Sequence, residues 1–145
     1  MGKGIHLERT YPYPREQVWK ALTNKEAIRK WFTEHDLTKN LDELQKGDSF
    51  TFISKPQGNW DGKMYCELME SNKPHKLAYT FGGDGFKQPS VVTWELIEEG
   101  EGTKLILDHK GFDGFKGFFL RFMLQRGWKG MLKSTVFEEE IEKNR

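Results

Sequence analysis

Few side chains in this 145-residue sequence combine type and spacing in a way that could do chemistry. Cys66 is the lone cysteine, and a thiol beside an imidazole such as His109 makes a nucleophile pair, because the ring takes the proton and the thiolate attacks. Nothing in the spacing of Cys66 and His109 requires them to meet, and a buried cysteine is ordinarily an inert small apolar residue, so no catalytic residue is assigned. The histidines, His6, His35, His75 and His109, show no H-x-x-x-H or similar ligand spacing. No metal site and no cofactor are therefore expected. A single cysteine also excludes an intrachain disulfide and any multi-cysteine zinc or iron–sulfur centre.

Gly111, Gly114 and Gly117 stand before the last helical stretch and invite a phosphate-loop reading, since helix N-termini attract anions. The G-x-x-x-x-G-K-[ST] pattern is missing, however, and the interleaved Phe112, Phe115, Phe118 and Phe119 suit a mobile apolar flap or a contact for a partner protein. Arg9, Tyr79 and His109 are the polar groups that fall on apolar parity. Buried, each needs a partner. A ligand carboxylate or phenol held by Arg9 in a charge-assisted bond is one solution. An internal acid paired with Arg9 or His109, or an exposed strand end, is the other.

The elements that must position these residues follow from periodicity. Ile5, Leu7, Arg9 and Tyr11 alternate as a first strand that ends at Pro12-Tyr13-Pro14. A short helix carrying Val18, Trp19 and Leu22 follows. Thr23 with Glu26 then forms a T-x-x-E capping box for a second helix carrying Ile28, Trp31 and Phe32. From His35 to Lys46 a loop is expected, with room for a short irregular strand. Successive antiparallel strands put Phe50 and Phe52, then Met64, Cys66 and Leu68, then Leu77, Tyr79 and Phe81, then Val92, Trp94 and Leu96, and finally Leu105, Leu107 and His109 on one parity. The turns are Pro56-Gln57-Gly58-Asn59, Asn72 to Pro74, Gly82-Gly83-Asp84-Gly85 and Glu99-Gly100-Glu101-Gly102. From Phe115 to Lys143 runs the longest helical stretch, with Leu124, Trp128, Met131, Leu132 and Thr135 on one side and Met123, Gly127, Gly130, Ser134, Phe137 and Ile141 on the neighbouring one. Glycines on a buried-looking helix face imply close backbone contact or space left for something. A meander of strands with short early helices and one long terminal helix is an α+β pattern of about six strands in a single domain, residues 1–145.

Composition narrows the partners. Lys and Arg total 23 against 22 Asp and Glu, a formal net charge of +1, so no strong field recruits nucleic acid or an anionic membrane surface. No apolar run is long enough to cross a bilayer and no signal region precedes the first strand, so a cytoplasmic protein is the default expectation. Aromatics reach 14%, with 11 Phe and 5 Trp, and large rings both fill cores and line pockets.

The segments E-R-T-Y-P-Y-P-R-E-Q-V-W-K-A-L-T (Glu8 to Thr23), Trp31-Phe32, P-H-K-L-A-Y-T-F (Pro74 to Phe81), G-T-K-L-I-L-D-H-K-G-F (Gly102 to Phe112) and Gly127-Trp128 together resemble the activator of Hsp90 ATPase homologue 1-like family. That family lies within the START/SRPBCC, or Bet v 1-like, superfamily. The resemblance implies a helix-grip fold, in which a curved antiparallel sheet wraps a C-terminal helix around an internal cavity, often for an apolar molecule. It does not imply one activity, since members include ligand carriers, chaperone-associated domains, resistance proteins and some enzymes. Where the family often has a glycine in its third long strand, this chain has Cys66. The co-chaperone that names the family carries a further N-terminal domain, for which this length leaves no room, so ATPase activation carries over poorly.

On that fold, Phe50, Phe52, Met64, Cys66, Leu68, Leu77, Tyr79, Phe81, Val92, Trp94, Leu105 and Leu107 would wall the cavity, with His109 and Arg9 as its polar groups. Trp31, Phe32, Phe119, Met123 and Trp128 would close it. The alternative is a solid core of the same rings. The functional expectation is non-enzymatic binding of a small, largely apolar molecule that is lipid-like, flavonoid-like or polyketide-like. A stress- or chaperone-associated interaction module stands second, and a cyclase- or hydrolase-like enzyme using His109 or Arg9 third.

Overall fold

A computed structural model describes residues 4–56, 58, 61–83, 88–111 and 114–145, with side chains throughout except at 114–120. The expectations for Gln57, Asn59, Asp84, Gly85, Phe112 and the side chains of Phe115, Phe118 and Phe119 lie outside the described residues.

The chain runs β1 (Ile5–Tyr11), α1 (Arg15–Thr23), α2 (Lys25–Trp31), β2 (Glu34–His35), a 3-10 helix (Leu41–Glu43), β3 (Ser49–Ile53), β4 (Lys63–Asn72), β5 (Lys76–Phe81), β6 (Ser90–Glu99), β7 (Gly102–Lys110), α3 (Gly114–Lys133) and α4 (Thr135–Glu142). The strands form one antiparallel seven-stranded sheet in the order β1-β7-β6-β5-β4-β3-β2. Every neighbour from β3 to β7 is also a sequence neighbour, so the middle of the sheet is a meander, and β1 closes onto β7 with Leu7 opposite Leu107 and Arg9 opposite Leu105. The extra strand, β2, pairs only Glu34 and His35 with β3. A register shift between Leu68 and Glu70 in β4 adds local twist where the sheet bends.

Burial alternates through β3, β6 and β7 and through Met64–Leu68 of β4, because one face is buried and a one-residue slip would turn the apolar set outward, whereas in β5 Ala78 is buried beside Leu77 and Tyr79. Phe52, Leu68, Leu77, Phe81, Val92, Trp94, Leu105 and Leu107 are all buried on the face toward the helices. The helix-grip arrangement implied by the resemblance is the one observed, with α1, α2 and α4 packed together and α3 meeting β1.

Two local expectations are corrected. Thr23 does not cap the second helix: its hydroxyl donates back to the Trp19 carbonyl at 2.9 Å, which keeps it in the last turn of α1. Asn24 caps instead, its side-chain oxygen accepting from the backbone N–H groups of Glu26 and Ala27 at 3.0 Å each. The capping-box chemistry falls on Asn40 and Glu43 at the 3-10 helix.

The terminal helix is not continuous. Ser134 is extended, with φ −68° and ψ 138°, and its hydroxyl accepts from Val136 N at 3.0 Å to start α4. In an unbroken helix that N–H would have reached the Leu132 carbonyl. Here that carbonyl receives the Arg9 guanidinium and, at 3.0 Å, the Tyr11 hydroxyl. Side chains from the first strand therefore satisfy an open carbonyl at the helix end, and the cationic one also suits the negative end of the α3 dipole.

Candidate functional site

Burial along α3 shows which way it faces the sheet. Trp128 and Leu132, one turn apart, are buried, and Leu124 and Met131 flank them half-buried. Met123 lies about 140° around the helix from Trp128 at 100° per residue. It is 62% exposed, so it does not close the interior as expected. Gly127 and Gly130 are likewise on the exposed side, and a Cβ at either would meet no described atom within 4 Å. They mark neither a close helix contact nor space over the sheet.

Between the sheet and the helices the rings meet one another. Trp128 stands edge-on to Trp94 at 5.4 Å between centroids and stacks on Phe32 at 5.4 Å. Phe32 also stacks on Trp31 at 5.6 Å and meets Phe52 edge-on at 4.8 Å. Phe52 continues to Phe50, Tyr79 and Phe81. Among the described rings of this network, Phe32 alone is half-buried rather than buried. It lies just past the end of α2, where φ −120° and ψ −90° leave the helical path.

The polar groups inside are connected in two short chains. In the first, Trp128 Nε1 donates to His109 Nδ1 at 3.1 Å, His109 Nε2 lies 2.7 Å from Ser90 Oγ, and Ser90 donates to the Phe81 carbonyl at 3.0 Å. These partners fix the tautomer: Nδ1 must accept, so Nε2 carries the proton and donates to Ser90. Burial pushes the imidazole pKa down to about 3, which keeps the ring neutral. A serine 2.7 Å from a histidine resembles half of a hydrolase triad, but the proton runs the wrong way. The imidazole has no lone pair facing Ser90 and cannot serve as its base.

In the second chain, Trp94 Nε1 donates to the Tyr79 hydroxyl at 3.0 Å. Burial pushes the Tyr79 phenol pKa well up, so it stays protonated. Its own O–H meets no acceptor among the described residues. Cys66 points the same way from β4, its thiol 3.5 Å from the Met64 carbonyl and its pKa raised by burial. Cys66 and His109 are three strands apart, about 14 Å along the sheet, so they form no thiol–imidazole pair.

Of the two roles expected for Arg9, holding a ligand acid or pairing with an internal one, the structure shows the second. Its side chain is 33% exposed, donates to the Leu132 carbonyl, pairs with Glu138 at 3.5 Å and lies 4.9 Å over the Tyr11 ring. It is a helix-end clamp. Phe119 lies outside the described side chains. Met64, Leu68, Trp31 and Leu107 are buried as expected. Ser90, missed in the sequence, was legible in principle, since it precedes Val92, Trp94 and Leu96 on the same parity. An open cleft of about 650 Å³ lies elsewhere, lined by Glu16, Lys20, Asn40, Asp42 and Lys73 among others, and includes none of the expected site residues.

Residues 12–135 match the family model described as Activator of Hsp90 ATPase homolog 1-like protein. The chain belongs to that family. Solved structures agree on the fold. The crystal structure of MLL2253 from Mesorhizobium loti is 25% identical with a TM-score of 0.73, covering 98% of this chain and 96% of that one. The solution structure of BH1534 from Bacillus halodurans is 26% identical with a TM-score of 0.71, covering 97% of each. The crystal structure of PFC0360w, an HSP90 activator from Plasmodium falciparum, is 23% identical with a TM-score of 0.68, covering 97% of this chain and 94% of that one, a likeness of fold alone. No curated protein matches the chain. Family and fold are consistent with either small-molecule binding or an activator-like role. Among the described residues no helix is long and apolar enough to cross a membrane.

Proposed function

We propose that the protein binds a small, largely apolar molecule between the concave side of the sheet and the C-terminal helices. The observation that carries this reading is the buried Tyr79 hydroxyl, which has a donor to offer inside a wall of rings. Binding sites for such molecules are mostly apolar with a few placed polar groups, and this interior has that composition. The ligand gains access by displacing Phe32, the half-buried ring past the end of α2, and then stacks against Trp128 and Trp94. Native mass spectrometry of the protein as purified, and after addition of flavonoid and lipid-like compounds, tests the reading. A saturable one-to-one adduct, weakened by Trp94→Ala in a protein that still melts cooperatively, is the expected result. A bare mass under every condition would overturn it.

A second reading rests on the outer side of α3. Phe122 and Met123 are 56% and 62% exposed, and adjacent exposed apolar residues often contact a protein. An Hsp90-type chaperone is the partner that the family and the Plasmodium falciparum activator suggest. Stimulation of an Hsp90 ATPase, abolished by Phe122→Glu with ligand uptake intact, would favour this reading over the first.

A further inference from the structure

We infer that the ligand is an uncharged molecule bearing a hydrogen-bond acceptor, such as a ketone, quinone or ester on a ring system, and that Tyr79 recognises that acceptor. The inference deepens the binding reading above and rests on it.

An acid would need a cation, and the interior offers none among the described residues. No described lysine or arginine is buried as a whole, and Arg15, whose Nε is buried without a partner, sits at the start of α1 with its terminal nitrogens on His75 and Glu98. Arg9, the cation on apolar parity, is committed to the Leu132 carbonyl and Glu138 at the helix break. His109 is held neutral in the chain from Trp128 to Ser90, with its Nε2 proton directed at the serine. A carboxylate placed among these rings would lose its hydration and find no compensating charge. A ligand cation meets the same difficulty, since no described aspartate is buried and the one buried glutamate, Glu140, pairs with Lys143 at 2.7 Å on α4.

Donors are nearly all committed as well. Trp31 Nε1 goes to the Ala21 carbonyl, Trp94 Nε1 to Tyr79 and Trp128 Nε1 to His109. The Cys66 thiol, a weak donor, faces the Met64 carbonyl. Tyr79 differs, because its oxygen accepts from Trp94 while its hydrogen has no described acceptor. Accepting a hydrogen bond polarises a hydroxyl and strengthens it as a donor. A carbonyl oxygen delivered between Phe50, Phe52 and Phe81, the rings around Tyr79, completes the pattern without burying charge.

Three two-ring probes separate the possibilities: benzophenone carries a neutral acceptor, diphenylmethane lacks it, and diphenylacetate replaces it with an anion. In calorimetric titrations of the wild-type protein, benzophenone is expected to bind about tenfold or more tighter than either of the others. Its carbonyl stretch should move to lower frequency on binding. Tyr79→Phe should remove both the shift and the preference over diphenylmethane. Because the wild-type ranking and the infrared shift need no variant, a poorly folding Tyr79→Phe would not rescue the idea. Equal binding of benzophenone and diphenylmethane, tightest binding of diphenylacetate, or an unshifted carbonyl overturns the inference while leaving the binding reading in place. Failure of all three probes to bind overturns both.

Discussion

Protonating His109 would place a second donor where Trp128 already points one, in a site from which water is excluded. Its depressed pKa therefore couples to stability with a definite sign. Above pH ~6.5 the ring is neutral in both folded and unfolded chains and contributes no pH dependence. Below that, the unfolded chain takes up a proton that the folded one refuses. Stability should fall by about 1.4 kcal/mol per pH unit, toward the folded value of about 3. His6 behaves oppositely. On the outer face its ring nitrogens lie 2.7 Å from Asp108 and 2.7 Å from Glu8, which raises its pKa. The stabilisation it gives is full below the unfolded value and is lost as pH rises through the folded one, and solvent screening keeps it small. Histidine ring NMR checks both, with His6 expected to titrate above 6.5 and His109 to show no titration at pH 5. A normal titration of His109 would contradict the buried relay. At this scale the sequence disclosed that His109 and Tyr79 fall on inward parity but not their partners, because a hydrogen bond between β7 and α3 depends on how those elements are set against each other.

At the scale of elements, the break at Ser134 is the feature with a local cause and a distant one. Locally, Ser134 supplies a cap, and Ser134→Ala should cost about 1 kcal/mol in denaturant melts. At a distance, Tyr11→Phe removes a buried bond to the Leu132 carbonyl and should cost a similar ~1 kcal/mol. Gly127 and Gly130 lie on the exposed side of α3, so alanine at either should stabilise the protein by roughly 0.5–1 kcal/mol. Destabilisation instead would mean that the helix packs against something on that side. The strands were readable because a buried face imposes a period of two. The break was not, since what stops α3 is Arg9 and Tyr11, more than a hundred positions earlier in the chain. For the same reason periodicity alone makes the buried face of α3 too broad, since it includes Met123 and the two glycines, which are exposed. Thr23 and Asn24 are both good caps, and only the back-bond from Thr23 to Trp19 decides between them.

For the molecule as a whole, the sheet, α2 and the α3–α4 pair enclose a set of rings whose accessible member is Phe32. Family and fold were legible in the sequence because short matching segments recur in order over most of its length. The ligand's charge was not, since Arg9 on apolar parity suits a ligand acid or an internal one equally, and only the fold shows that the Leu132 carbonyl and Glu138 hold it. Replacing Phe32 by alanine should lower thermal stability by about 3 kcal/mol or less, because the ring is only half-buried, while increasing uptake of a two-ring probe. The most direct test of the account is aromatic carbon–proton NMR of the protein titrated with benzophenone. Saturable one-to-one shifts of the Phe32, Tyr79, Trp94 and Trp128 rings are predicted. Shifts confined to Phe122 on the outer side of α3, or no shifts at all, would contradict it.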